Sequence, residues 1–120
     1  MSKNVNATLE DLMKLDGAMA GAVADSKSGM ALGMVGSGVN LEVAAAGNSE
    51  VLRTKEKVMS NLGLADRIED ILISLGSQYH LIRPLTKNAT LFIYLVLNRD
   101  KANLAMARYK LTEAEANLEV

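Results

Sequence analysis

The 120-residue sequence contains no cysteine and only one histidine, His80. The lack of cysteine excludes a disulfide framework, a thiolate nucleophile and a zinc-thiolate site. A single histidine without a nearby pair of acidic residues forms neither a catalytic triad nor a metal site. We therefore expect no catalytic residues, no metal and no cofactor, and we interpret His80 as an ordinary strand residue.

An excess of charge and long apolar runs are also missing. Thirteen basic and fourteen acidic side chains give a formal net charge of −1, so no strong attraction favours nucleic acid or an anionic membrane. The apolar runs are no longer than a strand, and the amino terminus lacks an apolar signal core. These features predict a cytoplasmic protein that neither inserts into a membrane nor binds nucleic acid. The length predicts a single domain over residues 1–120.

The motifs of common enzymes are absent as well. Residues 33–38 (GMVGSG) lead from a predicted strand into a predicted helix, where backbone amides could hold a phosphate, but they match neither GxxxxGK[ST] nor GxGxxG. No serine has a GxSxG context, and we place the serines in turns or on helix surfaces. Adjacent Glu69 and Asp70 point to opposite faces of a strand, so we expect both to be solvated. The sequence therefore predicts a protein that is not an enzyme.

The most informative segment joins an apolar strand to an amphipathic helix. Residues 89–97 are almost entirely apolar on both faces, which predicts a central strand covered on both sides. Asn98 and Asp100 follow as candidate helix caps. The predicted buried stripe of the last helix comprises Leu104, Ala107, Leu111, Ala114 and Leu118, with Lys101, Arg108, Lys110 and Glu115 between them.

Turn signals divide the rest of the chain into two hairpins and two more helices. Thr8 and Asp11 resemble a capping box, which predicts a first helix that ends at Gly17. We predict strands over residues 18–25, 30–36, 67–75 and 78–85. Gly29 can supply the positive φ of the first hairpin turn, and Gly76-Ser77 form the second turn. Pro84 is expected to end the second strand of that hairpin. The small residues of the first strand indicate that a helix packs closely across it.

A long helix is predicted from the cap Asn40 to Asn61 or Leu62. Its length of about 33 Å exceeds what a small sheet requires, so part of it could meet another chain. Asn48 and Lys55 interrupt its apolar stripe. Either they extend to the edge of the packed face, or they mark a polar-paired interface such as that of a symmetric dimer. Six further charged residues of both signs are placed on the surface by default: Glu50, Arg53, Lys57, Arg67, Arg99 and Arg108.

Three segments together resemble the Roadblock family of dynein light-chain and GTPase-associated proteins. They read LDGAMAGAVADSKSGMALG, YHLIRPL and ATLFIYLVLNRDKANLAMARYKL. The resemblance extends from about Leu9 to Leu118, and the strand-hinge-helix NRDKANLAMARYKL is its most specific part. The elements predicted above follow the order α-β-β-α-β-β-β-α, and their short strand connections predict an antiparallel sheet with helices on its faces. The resemblance implies an α+β, profilin-like fold with this same order. In this fold a five-stranded antiparallel sheet has the long helix on one side and the two terminal helices on the other.

The resemblance also implies a homodimer, in which the strand after the long helix pairs with its copy while the two long helices lie side by side. Carried onto this sequence, the interface would use Asn48, Val51, Lys55, Val58, Met59 and Leu62 of the helix and Ile68, Ile71 and Ile73 of the edge strand. Arg53 and Arg99 are candidate contacts to a further partner.

The function implied by the resemblance is that of a non-enzymatic homodimeric adaptor that binds and regulates a small Ras-like GTPase. Two alternatives remain open. One is a structural, light-chain-like scaffold that binds a partner peptide or helix. The other is a small-ligand sensor, with residues 36–38 as the entry point.

Overall fold

The computed structural model describes residues 4–120. Residues 1–3, which belong to the predicted domain and to the amino terminus without a signal core, lie outside the described residues. The elements are α1 (Val5–Leu12), β1 (Ala18–Asp25), β2 (Ala31–Gly36), α2 (Leu41–Asn61), β3 (Ile71–Ser74), β4 (Gln78–Pro84), β5 (Leu91–Asn98) and α3 (Leu104–Asn117). This order confirms the predicted α-β-β-α-β-β-β-α architecture. Within the described chain, no helix has both the length and the apolar character needed to cross a bilayer.

The strands form one antiparallel sheet in the order β2-β1-β5-β4-β3. β5 lies in the middle, and every residue from Leu91 to Leu97 is buried. Its side chains alternate between the two faces: Ile93 and Leu95 pack beneath α1 and α3, whereas Phe92 and Tyr94 pack beneath α2. The predicted two-sided central strand and the predicted placement of the helices are therefore confirmed.

The small residues of β1 allow helices to approach both of its faces. Ala20, Ala22 and Ala24 belong to the cluster beneath α2 and are fully buried. A Cβ added to Gly21 on the other face would lie 3.4 Å from Met13 Cε and 3.6 Å from Leu9 Cδ2. The prediction that a helix packs closely on this strand is thus confirmed on both faces.

Both hairpins form where they were predicted. Gly29 has a φ of +75°, and its N–H donates to the Asp25 carbonyl oxygen at 2.7 Å. Pro84 is the last residue of β4, as expected for a residue that cannot donate a ladder hydrogen bond.

The predicted start and end of α1 are wrong. Thr8 does not cap the helix; its N–H donates to the Asn4 carbonyl oxygen at 3.0 Å from within the first turns. The helix ends at Leu12, five residues before Gly17. Gly17 instead has a φ of +82° and passes so close to the β5–α3 loop that an added Cβ would lie 2.9 Å from the Asn98 carbonyl oxygen.

The predicted caps of α3 are also wrong. Asn98 is the last residue of β5, and its side chain accepts from the Asp100 N–H at 3.0 Å within the following turn. The cap is Asn103, whose side chain accepts from the Met106 N–H at 3.0 Å. An asparagine can stabilise either a turn or a helix start, so composition alone did not distinguish the two positions.

β3 is shorter than predicted, because it begins at Ile71 rather than Arg67. Ile68 therefore lies in the irregular segment before the edge strand, half-buried against the cluster beneath α2. Asp70 is not a freely solvated carboxylate: its two oxygens accept from Arg108 Nε at 2.9 Å and Nη2 at 3.2 Å.

Three polar side chains, which the sequence places in a turn (Ser26), on a helix surface (Ser49) and between the apolar residues of the last helix (Glu115), are buried. Glu115 is only 7% exposed, and its Oε1 accepts from Arg83 Nε at 2.8 Å. Ser49 is fully buried within α2, where its hydroxyl donates to the Ala45 carbonyl oxygen at 2.6 Å. The hydroxyl of Ser26 donates to the Thr90 carbonyl oxygen at 2.9 Å. Each finds a partner inside the protein, which is the condition for burying a polar group.

Candidate partner-binding surface beside the edge strand

The two halves of α2 have different environments. Its buried residues are Leu41, Ala45, Ser49 and Leu52, spaced to form one stripe in the first half of the helix. After Leu52 no α2 residue is buried, and only Met59 is partly covered. The helix is therefore longer than the sheet face that it covers, as its length predicted.

The uncovered half of α2 carries large apolar side chains. Val51 and Val58 are each 40% exposed, and Leu62, just after the helix, is 65% exposed. Neighbouring apolar side chains that remain open to solvent are typical of interaction surfaces.

The strand β3 lies at one edge of the sheet. Within residues 4–120 it pairs only with β4, so its other side has no ladder partner in the described chain. Its sequence, ILIS, contains no charged residue and no proline. Ile71 and Ile73 are half-buried, and the register with β4 is regular at all four positions. An uncharged, regular edge of this kind is a ready template for pairing with another strand.

A groove of about 420 Å³ joins these two features. Its lining residues are Val51, Lys55, Met59, Arg67, Ile68, Asp70 and Ile71. Five of the nine predicted interface residues thus surround one depression between α2 and the start of β3. Val58 lines an adjoining depression with Val51 and Lys55. Leu62 and Ile73 lie outside the groove. Sequence analysis missed Asp70 and Arg67 as lining residues; the position of Asp70 directly before an apolar strand was the only available signal.

Asn48 is half-buried, and its side chain lies near the Tyr94 hydroxyl. Burial raises the pKa of Tyr94, and the Asn48 side chain opposes this increase. The same hydroxyl lies 2.9 Å from Nδ1 of His80, whose Nε2 lies 2.8 Å from Gln78 Oε1. Burial lowers the pKa of His80, which favours its neutral form. The polar residue that interrupts the α2 stripe therefore lies beside an internal, uncharged network formed by Tyr94, His80 and Gln78.

The two arginines predicted as partner contacts lie at opposite ends of the sheet. Arg53 donates from its guanidinium to the carbonyl oxygen of Ser26, which follows β1 beside the start of β5. Arg99 follows the end of β5, where Nη1 donates to the Leu75 carbonyl oxygen at 2.9 Å. The structure thus does not bring the two arginines together, and each is bonded within its own chain.

The glycine-rich turn at residues 36–38 is tightly packed on β1. Gly36 has a φ of +87°, and a Cβ there would overlap the Met19 carbonyl oxygen. The Ser37 N–H donates to that same oxygen at 2.9 Å, so this amide is already used within the protein.

Comparison with known proteins gives matches in structure alone. No protein-family model matches the sequence. No curated protein matches it either. A solved Roadblock/LC7 domain from Streptomyces avermitilis has a TM-score of 0.82 at 11% identity, over 95% of this chain and 93% of that one.

Two further solved structures are MglB proteins. MglB of Myxococcus xanthus has a TM-score of 0.83 at 11% identity, over 95% of this chain and 90% of that one. The gliding protein MglB of Thermus thermophilus has a TM-score of 0.79 at 16% identity, over 93% of this chain and 83% of that one. The chain therefore has the Roadblock/LC7 fold that its sequence resembles.

Proposed function

We propose that this protein is a homodimeric adaptor that binds and regulates a small Ras-like GTPase without contributing a catalytic residue. The observation that carries the dimer is the groove that places Val51, Lys55 and Met59 of α2 beside Ile68 and Ile71 at the free edge of the sheet. The Roadblock resemblance of the sequence and the Roadblock/LC7 fold support the GTPase as partner.

Dimerisation would complete the sheet. A second copy of β3 in antiparallel pairing would satisfy the ladder positions left free at this edge and would cover Ile71 and Ile73. The exposed half of α2 would then pack against its copy through Val51 and Val58. This pairing is isologous, since each protomer offers the same surface to the other.

Regulation would follow from unequal affinity for the two nucleotide states of the GTPase. A dimer that binds one arrangement of the switch regions tenfold more tightly shifts the equilibrium by about 1.4 kcal/mol. Such a shift requires only that the dimer present a rigid surface of fixed shape. No side chain of the dimer has to take part in breaking a bond of the nucleotide. Arg53 and Arg99 stay as proposed contacts to the GTPase surface.

The dimer is tested by measuring molar mass with size-exclusion chromatography and light scattering. The wild-type protein should elute with twice the protomer mass, and Ile71→Lys should be monomeric, because a lysine at this edge would be buried without a partner. Tyr109→Lys is the matched control, since Tyr109 is 59% exposed on α3, away from the groove. A monomeric wild-type protein at high concentration would refute the proposed dimer.

The partner is tested by mixing the dimer with Ras-like GTPases encoded near its gene, each loaded with GDP or with a non-hydrolysable GTP analogue. We expect a stable complex in one nucleotide state and an altered rate of nucleotide exchange or hydrolysis. Absence of a complex in both states would reject the GTPase. Tight, nucleotide-independent binding of an elongated partner would instead favour the scaffold alternative, for which the exposed apolar stripe of α2 offers a helix-binding groove.

A further inference from the structure

The edge strand β3 is short and has few backbone hydrogen bonds to hold it in place. It has four residues and pairs only with β4 in the described chain. Residues 64–70, which lead into it, have no regular secondary structure. A short strand at the end of an irregular segment opens locally with little cost, and an open edge cannot act as a template for pairing. The edge therefore needs contacts that fix both of its ends.

The start of β3 is fixed from α3. Arg108 donates through Nε and Nη2 to the two carboxylate oxygens of Asp70, the residue directly before the strand. The Asp70 side chain is 13% exposed and the Arg108 side chain 44% exposed. A bidentate pair of this kind is stronger and more directional than a single surface ion pair, and it restricts where the carboxylate can lie.

The end of β3 is fixed from the β5–α3 loop. Arg99 Nη1 donates to the carbonyl oxygen of Leu75, which follows the last strand residue, at 2.9 Å. The Arg99 N–H donates to the Ser77 carbonyl oxygen at 3.0 Å, and its guanidinium lies 5.0 Å from the centre of the Tyr79 ring. Three contacts from one residue thus hold the turn between β3 and β4.

We infer that Arg99 and Arg108 are positioning residues that hold the two ends of β3 in the geometry required for pairing with a second copy. Both belong to the strand-hinge-helix NRDKANLAMARYKL, which thereby acquires a physical role: it reaches across the sheet from its central strand to the edge. The effect on dimer affinity rests on the proposed function, whereas the effect on the mobility of β3 does not.

The first test measures amide hydrogen exchange of residues 71–75 in the monomeric background Ile73→Lys. Arg99→Ala and Arg108→Ala should each increase exchange there about tenfold, while the core strand β5 keeps its protection. Lys110→Ala is the matched control, since Lys110 lies on the same helix and its ion pair with Glu113, at 3.3 Å, stays within α3. Unchanged exchange at residues 71–75 in both arginine variants, or the same increase in the control, would overturn the inference.

The second test measures the dimer dissociation constant by analytical ultracentrifugation. Arg108→Ala and Asp70→Asn should each weaken the dimer about fivefold to tenfold, and the double variant no more than either single one, because the two residues act as one pair. The reversed pair Asp70→Arg with Arg108→Asp should recover most of the affinity. Additive losses without recovery would contradict a positioning role. A monomeric wild-type protein would overturn the proposed dimer and the pairing role of the two arginines, whereas the exchange test would still decide whether they restrict the mobility of β3.

Discussion

The two edge strands of the sheet both lack charged residues and proline, but their geometries differ. β2 reads ALGMVG and β3 reads ILIS, and neither contains a charge or a proline. Yet the register between β1 and β2 shifts opposite Val23 and Ala24, and α1 packs so closely on β2 that a Cβ at Gly33 would lie 2.5 Å from Val5 Cγ1. β3 keeps a regular register and is held at both ends by arginines.

This difference shows that an edge can be protected by backbone geometry as well as by charge. An irregular register disturbs the ladder that a second strand would have to follow, so β2 offers a poorer template in spite of its exposed Leu32 and Met34. β3 has no such irregularity and adjoins the groove of α2. The geometry therefore favours self-pairing at β3 and not at β2.

The largest effect is expected at the glycine that ends β2. Gly36→Ala should lower the free energy of unfolding by about 4 kcal/mol, because the added Cβ would overlap the Met19 carbonyl oxygen at a φ of +87°. Chemical denaturation measures the loss. Gly47→Ala is the control: among the described residues, no atom outside the surrounding turn of its own helix lies within 4 Å of the added Cβ, and alanine in place of glycine within a helix should stabilise the protein by up to about 1 kcal/mol. Equal stability of Gly36→Ala and wild type would show that the β2 edge is less constrained than described.

The second prediction concerns the buried pair that fixes α3, the helix from which Arg108 reaches β3. Glu115→Gln should cost about 3 kcal/mol, because it leaves the buried Arg83 guanidinium without a charged partner. Urea denaturation at neutral pH measures this cost. Glu113→Gln, whose ion pair with Lys110 is half-exposed, is the control and should change stability by less than about 0.5 kcal/mol.

The pair also predicts how stability depends on pH. Burial alone would raise the pKa of Glu115, but hydrogen bonds from Thr86 and Arg83 and the charge of Arg83 together lower it below its ordinary value of 4.5. The unfolded chain then binds this proton more readily, so the stabilisation is present above pH 4.5 and is lost as the pH falls further. Glu115→Gln should reduce the loss of folding stability below pH 4.5. If the variant loses as much stability as the wild type, the acid sensitivity belongs to other groups.

The contacts of Glu115 and Asp70 mark the limit of what sequence could predict. Short stretches of sequence contain the signals for the sheet, its central strand and the buried faces of the helices. These signals are the apolar runs, the turn glycines and Pro84. The Arg83–Glu115 and Asp70–Arg108 pairs join residues 32 and 38 positions apart, and no local pattern encodes which charges meet. For the same reason the expectation that Asp70 is solvated is wrong.

The candidate surface was anticipated only in outline. The length of α2 and its interrupted stripe indicated a free portion of the helix, whereas the individual interface residues came from the family resemblance. Ile68 was assigned to the strand because hydrophobicity alone does not show where pairing begins. Asn48 lies near the Tyr94 hydroxyl, 46 residues away in sequence, and no helical pattern could indicate this neighbour.

A third prediction compares the two edges directly. Leu32→Lys in β2 should change the dimer dissociation constant by less than about twofold and the free energy of unfolding by less than about 0.5 kcal/mol. The reason is that Leu32 is already 50% exposed, at a position where the register is irregular. Ile71→Lys in β3 should weaken the dimer by about 2 kcal/mol or more. Sedimentation of both variants at matched concentrations tests the contrast. If Leu32→Lys is the variant that dissociates the dimer, the assignment of the two edges must be exchanged.

The smallest effect is expected at His80, which pairs with Ile73 across the β3–β4 ladder. Burial lowers the pKa of His80 from its ordinary value of 6.5, so the unfolded chain binds this proton more readily than the folded one. Folding stability therefore decreases as the pH falls through 6.5, and it is recovered when the pH is raised. Because the ring is partly exposed, solvent screening keeps the change below about 1 kcal/mol. His80→Gln should remove the pH dependence of folding stability between about pH 7.5 and 5.5. It should not change the loss of stability at lower pH that is due to Glu115. Denaturation midpoints of the wild type and His80→Gln across that pH range measure the slope. Because His80 lies on the β3 side of the sheet, His80→Gln should leave amide hydrogen exchange in β2 unchanged.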